Sequence, residues 1–312
     1  MNIAELREAL AREEIDPDLY CLDPREMGTR TEAYRIGIHH KHWCVWFFER
    51  GIMFDEHRFA SEDEACRFLL DLLRHQGGPE QPPGGGLTRL GVAVACAPGP
   101  WIPAMRALLD HLARQDFDGV PQVMGFDEDG RLLVSHVPGD GHPSAEQPVS
   151  DQALGELAQL LRRYHDATVD FVAPEPASWR QPEQPPVEVI CHGDVGPHTT
   201  VFRNGHPIAL VDLDSAHPGA RRWDLAAAAH RFIPLGAPSN SDLVLPMDQQ
   251  MIRLRLFCDA YGLEHSDREQ LPETVLEWLR VRAARGDDLT WLEADIAHVE
   301  ANAGHLRRAM CI

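Results

Sequence analysis

The chain has 312 residues, 44% of them hydrophobic and 25% charged, with a formal net charge of -20 at pH 7. This is the size and composition of an ordinary folded protein with one or two buried cores, which excludes a mini-protein and a disordered polymer. So acidic a surface repels nucleic acid and anionic membrane, and no apolar run approaches the roughly 20 residues that span a bilayer, so neither is expected as a partner.

The first residues, MNIAELREALAREE, form an acidic amphipathic helix rather than a signal peptide, and the expected location is the cytoplasm. Ile3, Leu6, Leu10 and Ile15 recur near helical spacing, and Pro17 with the segment CLDPREMGTR is expected to break regular structure. AYRIGIHH, HWCVWFFER and IMFDEHRF follow, short and rich in β-branched and aromatic residues, and predict a three-stranded meander. Ser61 and Glu64 have capping-box spacing before a helix whose Ala65, Phe68, Leu69, Leu72 and Leu73 make one apolar stripe. Residues 1–76 are therefore expected as an αβββα domain. The Pro/Gly segment 77–86, GGPEQPPGGG, holds neither helix nor strand and reads as a linker, its Gly84–Gly86 lacking the spacing of a phosphate-cradling loop.

LTRLGVAVACA then predicts a strand or tight hairpin, and Pro103–Arg114 a helix turning Met105, Leu108, Leu109 and Leu112 inward. In VPQVMGFDEDGRLLVSHVPGD two strand-like runs flank a turn and end at a Pro-Gly break suited to a hinge. Ser150 caps a helix with Leu154, Leu157, Leu161 and Tyr164 on one face. From Trp223 onward the chain reads as helical apart from loops at LGAPSNSDLVLP and GLEHSDREQLP. A small sheet-rich lobe followed by a larger helical one is the expected order, in an α+β protein.

The chemistry concentrates in VEVICHGDVGPHTTVFRNGHPIALVDLDSA, residues 187–216: strand, polar loop, hairpin, strand. The hairpin returns Asp212 toward the loop that contains Asp194, and paired carboxylates at strand ends suit phosphoryl transfer, where one takes a hydroxyl proton and the other holds magnesium on a triphosphate. The seven cysteines (Cys21, Cys44, Cys66, Cys96, Cys191, Cys258, Cys311) form no C-x-x-C pair, and the histidines lack metal-ligand spacing, so neither a disulfide framework nor a zinc site is indicated.

His192-Gly193-Asp194 with Asp212 resembles the aminoglycoside phosphotransferase family and its choline-kinase-like relatives, as do PGPW, FDGVPQVMGFD, LLVSHVPGD, LLRRYHDATVDF and RRWDLA in that order. The resemblance implies a bilobal protein-kinase-like domain over 87–312, with small lobe 87–137 and helical large lobe 138–312. By it, Asp194 is the catalytic base, Asp212 the magnesium ligand, and the hinge at Ser135 and Val137 offers backbone groups to the base of ATP or GTP. His192 and Asp224 are implied as structural supports of the catalytic loop. Asp214 is ambiguous between ligand and cap, and Arg221-Arg222 reads as a surface pair.

Two positions depart from the family. Thr199 stands where an asparagine normally binds the second magnesium, and is expected as the replacement ligand. No Lys or Arg lies between Gly91 and Trp101, where a basic residue holds the nucleotide's phosphates, although Arg89 is near. The first reading is transfer of the γ-phosphoryl group, with Mg2+, to the hydroxyl of a small molecule, for which the acidic balance permits a cationic acceptor such as an aminosugar or amino alcohol. The alternative is a pseudokinase-type binding or regulatory protein, including an immunity-type protein that recognises a protein partner through Trp43, Trp46, Phe47 and Phe48 of residues 1–76.

Overall fold

The structure, a computed structural model, describes residues 1–13, 15, 17–22, 32–39, 42–49, 52–75, 88–90, 93–139, 149–240, 243–285 and 289–310. The chain divides into two compact units, Met1–Gly84 and Gly85–Ile312. The segment 77–86 expected as a linker lies outside the described residues, as do the side chains of Arg89, Phe47 and Phe48.

In the first unit, α1 (Ile3–Arg12) is started by a capping box between Asn2 and Glu5. Strand β1 (Tyr20–Cys21) runs parallel to β2 (Glu32–His39), which continues antiparallel into β3 (His42–Glu49) and β4 (Ile52–Phe59). The meander is as expected; β1 is an addition, since Pro17–Leu19 makes a single 3-10 turn that delivers Tyr20 and Cys21 to the edge of β2 instead of ending order there. At the start of α2 (Glu62–His75), Ser61 Oγ accepts from the N–H of Glu64, whose carboxylate accepts from Ala60. Leu6 and Leu10 of α1 and Ala65, Leu69 and Leu73 of α2 are buried with Tyr34, Ile36 and Val45 of the sheet, while Phe68 and Leu72 flank that core. Trp43 packs against the same core and is half-buried.

The second unit begins with a four-stranded antiparallel sheet in the order β5 (Thr88–Leu90), β6 (Ala93–Ala95), β8 (Leu132–Ser135), β7 (Val123–Phe126). Helix α3 (Ile102–Arg114) lies between β6 and β7 in the chain and buries Met105, Leu108, Leu109 and Leu112. Ser150 accepts from the N–H of Ala153 to start α4 (Asp151–Thr168). Next come β9 (Val189–Cys191), the hairpin β10 (Thr200–Arg203) and β11 (His206–Leu210), and β12 (His217–Gly219), antiparallel to β9. Asn204 and Gly205 both have positive φ, which is what a tight two-residue hairpin requires.

Four helices complete the unit: α5 (Arg221–Phe232), α6 (Met247–Tyr261), α7 (His265–Ala284) and α8 (Leu289–Met310). The stretch 262–272, expected as a loop, is helical from His265; Gly262 in the left-handed region closes α6, and Pro272 is buried inside α7. The polar composition and the proline misled the reading, but a buried proline near the first turns removes only one helical hydrogen bond. One core runs from Val94 and Leu132 of the sheet through Leu108, Leu154 and Tyr164 to Phe202 and Phe257. Sheet and helical lobes thus share a hydrophobic interior. No described helix is long and apolar enough to cross a membrane.

Candidate active site at the catalytic loop

The loop between β9 and β10 is shaped by groups that reach it from other elements. Asp224, on the first turn of α5 and 1% exposed, accepts the backbone N–H of His192 at 2.6 Å and of Gly193 at 2.9 Å, and lies 3.0 Å from Nε2 of His165. Burial alone would raise its carboxyl, yet these donors, led by His165, hold it below the usual range. Gly193 is obligatory: its φ is +84°, and a Cβ there would stand 2.1 Å from the carbonyl oxygen of Ser215.

The segments that carry Asp194 and Asp212 are tied together by a histidine. His192 Nε2 lies 2.9 Å from the carbonyl oxygen of Val211, so its ring joins the Asp194 loop to the residue before Asp212. Asp212 itself sits in the left-handed region, φ 65° and ψ 60°, where a non-glycine residue is uncommon and functional sites are over-represented. His198 lies 2.9 Å from Asp194 through Nε2, and the charge of Asp212 is the weakest of the influences on its ring. Burial lowers the imidazole's pKa more than the carboxylates raise it, leaving a neutral ring that donates to Asp194.

Asp194 does not stand open. Its Oδ1 accepts from Arg231 at 2.6 Å and, more distantly, from Arg282 at 3.4 Å, while Arg231 also donates to the carbonyl of Val195 at 2.9 Å. Burial works to raise the Asp194 carboxyl, but Arg231 and His198 together hold it far below the ordinary carboxylate range. The arginines are themselves fixed by tryptophans: both guanidiniums lie over Trp278, at 5.2 and 5.1 Å, and Arg282 is also 5.9 Å from Trp291.

Thr199, 1% exposed, faces into its own loop: its hydroxyl donates to the carbonyl of Asp194 at 2.7 Å and accepts from the N–H of Gly196 at 3.1 Å. Its carbonyl accepts from the N–H of Val211 at 2.8 Å, a second bond between the loop and the strand leading to Asp212. At the hinge, Ser135 N–H donates to Gln122 and Ser135 Oγ accepts from the N–H of Gln122, while Val137 is half-buried. Asp214 pairs with Arg180, whose guanidinium lies 5.2 Å from the Trp101 ring. Arg221 joins Asp166 of α4. Cys96, after β6, is buried and its thiol is pushed up to about 12, by burial first and the Asp212 charge second. The Cys96 thiol is therefore neutral, in the stretch where the sequence lacks a basic residue.

Magnesium is commonly held by one or two carboxylates with the remaining sites filled by water and phosphate oxygens. Asp212 fits that role, and among the described residues no cluster of three His, Cys, Asp or Glu side chains forms a fuller cage. Asp194 also borders a cavity of about 150 Å³, lined by Gln181, Gln184, His217, Trp278, Arg282 and Arg285 together with Gly193 and Asp224.

Arg231, Arg282 and Trp278 were absent from the residues singled out in the sequence. Arg231 was findable, because seven residues after Asp224 is two helical turns and returns to the face that meets the loop. Arg282 and Trp278 lie on α7, and nothing local in the sequence connects that helix to the loop.

No family model matches the chain. The trifolitoxin immunity protein of Rhizobium leguminosarum bv. trifolii is 34% identical over 197 residues, 59% of this chain and 74% of that protein. Among solved structures, amicoumacin kinase hAmiN in complex with AMP-PNP, Ca2+ and Ami matches with a TM-score of 0.50 at 11% identity, over 97% of this chain and 92% of that one. An aminoglycoside phosphotransferase from Alicyclobacillus acidocaldarius covers 75% of this chain and 98% of its own, with a TM-score of 0.48 at 15% identity. The fold is kinase-like, with the sheet lobe, the loop that carries Asp194 and the helical lobe in the order the motifs implied. With that fold, the chain belongs to the family of the trifolitoxin immunity protein.

Proposed function

We propose that the chain is a cytoplasmic phosphotransferase that moves the γ-phosphoryl group of ATP or GTP to a hydroxyl of a small molecule, in a protective role akin to that of its immunity-protein relative. The observation that carries this is the hydrogen bond from the His192 ring to the carbonyl of Val211, which joins the loop that carries Asp194 to the strand end that carries Asp212. In this reading Asp194 takes the proton of the acceptor hydroxyl, whose oxygen bonds to the γ-phosphorus while the bond from that phosphorus to the β–γ bridging oxygen breaks, giving a phosphate ester and the nucleoside diphosphate. Asp212 would hold Mg2+, which when bound neutralises charge on the phosphates. Thr199 acts through its hydrogen bonds, fixing the loop that carries Asp194, and the backbone around Ser135 and Val137 borders the nucleotide base.

A second reading, an immunity protein that uses the fold for binding without phosphoryl transfer, is favoured by the guanidinium lock on Asp194 and by the neutral Cys96 near Asp212. In that case a protein partner would engage residues 1–76. Calorimetric titration of ATP and GTP with and without magnesium, on the wild type and Asp212→Asn, separates the two. Magnesium-dependent binding that Asp212→Asn weakens at least tenfold supports the phosphotransferase; a folded protein that binds neither nucleotide rejects it.

A further inference from the structure

Residues 169–188, between α4 and β9, hold no helix or strand, and their two ends are fixed to different parts of the second unit. At one end the N–H of Phe171 donates to the carbonyl of Thr168, and the Phe171 ring packs 5.3 Å from that of His111 on α3. At the other, the N–H of Gln184 donates to the carbonyl of Pro218 and the carbonyl of Gln184 accepts from Ala220, beside β12. Among the described residues, 172–183 make no backbone hydrogen bond, and most of them are exposed. An irregular segment of that length in a compact domain is commonly a lid or a binding loop.

Trp179 and Arg180 hold the middle of the segment down. Trp179 lies 6.2 Å from Phe171, edge to face, and packs against the core of the unit. Arg180 pairs with Asp214, two residues beyond Asp212, and its guanidinium lies 5.2 Å from the ring of Trp101, the residue before α3. Trp101 is itself seated against Gly99, where a Cβ would stand 2.3 Å from its ring. Arg180 thus touches the sheet lobe and the stretch after Asp212 at once. The next residue, Gln181, forms part of the wall of the cavity beside Asp194, as does Gln184. An ion pair whose arginine is 38% exposed is weak and salt-sensitive, and a cation over an indole at such a site adds only modestly to it. This is a fastening of the kind that opens while the rest of the unit stays folded.

We propose that residues 172–183 are a lid over the cavity beside Asp194, and that Arg180 is its latch, closed on Asp214 and Trp101. With the latch closed, the cavity of about 150 Å³ takes a group of about the size of a benzene ring; lifting Gln181 away with the lid opens that wall and admits a larger ligand to Asp194. Arg180 is a positioning residue, since it acts through the lid and touches no reacting atom. The lid does not depend on the phosphotransferase reading, because access to the cavity matters equally to an enzyme and to a binder.

The test is native-state proteolysis of the full chain, in which chymotrypsin cuts after Trp179 only while the lid is open. Asp214→Asn leaves the cut sequence untouched and removes the anion that the latch closes on. Cleavage between Trp179 and Arg180 should then quicken about two- to fivefold at low salt, the equivalent of one partly exposed ion pair, while Asp214→Glu stays near the wild-type rate. In about 1 M salt the wild type and Asp214→Asn should converge. Access to the cavity is read separately. Val281→Cys, on the cavity wall, in a chain with Cys311→Ser, should react with a bulky maleimide faster by the same factor when Asp214→Asn is added, the described cysteines being buried. Cleavage at an unchanged rate in Asp214→Asn, or quickened evenly at sites throughout the chain, overturns the latch; quickened cleavage with unchanged labelling of Val281→Cys overturns the lid over the cavity.

Discussion

Replacing Asp224 with alanine removes the acceptor for three donors at once: the backbone N–H of His192 and of Gly193, and the His165 ring. The position is 1% exposed, so water does not take over. Each buried donor left unsatisfied costs about 1–3 kcal/mol, and removing one member of a buried charged cluster typically costs about 3–5 kcal/mol, so a loss of about 3–5 kcal/mol is expected. Asp224→Asn keeps one acceptor oxygen but turns an amide N–H2 toward the remaining donors, and should fall between alanine and wild type. Guanidinium unfolding followed by tryptophan fluorescence reads this well, because Trp101, Trp179, Trp223, Trp278 and Trp291 are in the second unit and only Trp43 and Trp46 are in the first. A loss below about 1 kcal/mol for Asp224→Ala, at an unchanged denaturant slope, would refute the claim that this carboxylate holds the catalytic loop.

Two further perturbations probe the same region. His165, His198, His217 and His230 all have pKa values lowered, by burial before anything else, from the unfolded value of 6.5. A base whose folded pKa is depressed contributes stability that is complete above the unfolded pKa and is lost as pH falls below it, so the thermal midpoint should drop between pH 7 and pH 5 when measured in enough salt to screen the changing net charge; a flat or rising midpoint would contradict buried neutral rings. Arg231→Gln removes the nearest guanidinium from Asp194, so the carboxyl titration followed by 13C NMR should move up toward the ordinary value of about 3.9; a midpoint that stays far below it would mean that Arg231 is not what depresses it.

The parts of this protein that could be read from its sequence are those encoded by neighbours in the chain. The apolar stripe of α2, the inward set Met105, Leu108, Leu109 and Leu112, and the Asn204-Gly205 turn follow from periods of three to four residues or from one dihedral requirement. The loop around Asp194 and its tie to Asp224 followed from motifs in a fixed order, since HGD and RRWDLA hold partners that meet in space. What escaped depends on distant pairing. The start of α7 at His265 overrode a proline, β1 formed because β2 offered an edge, and the clamp on Asp194 comes from Arg231 and Arg282, whose distance from the loop in sequence carries no periodic signal.

Several hydrogen bonds fix the loop that carries Asp194, among them those of Asp224 to the backbone of His192 and Gly193, of the His192 ring to Val211, and of the Thr199 hydroxyl to the carbonyl of Asp194. All of them are made by the chain to itself. The shape of the loop is therefore written into the scaffold itself. The shape of this loop is thus compatible with either reading of the protein, transfer of a phosphoryl group or binding alone.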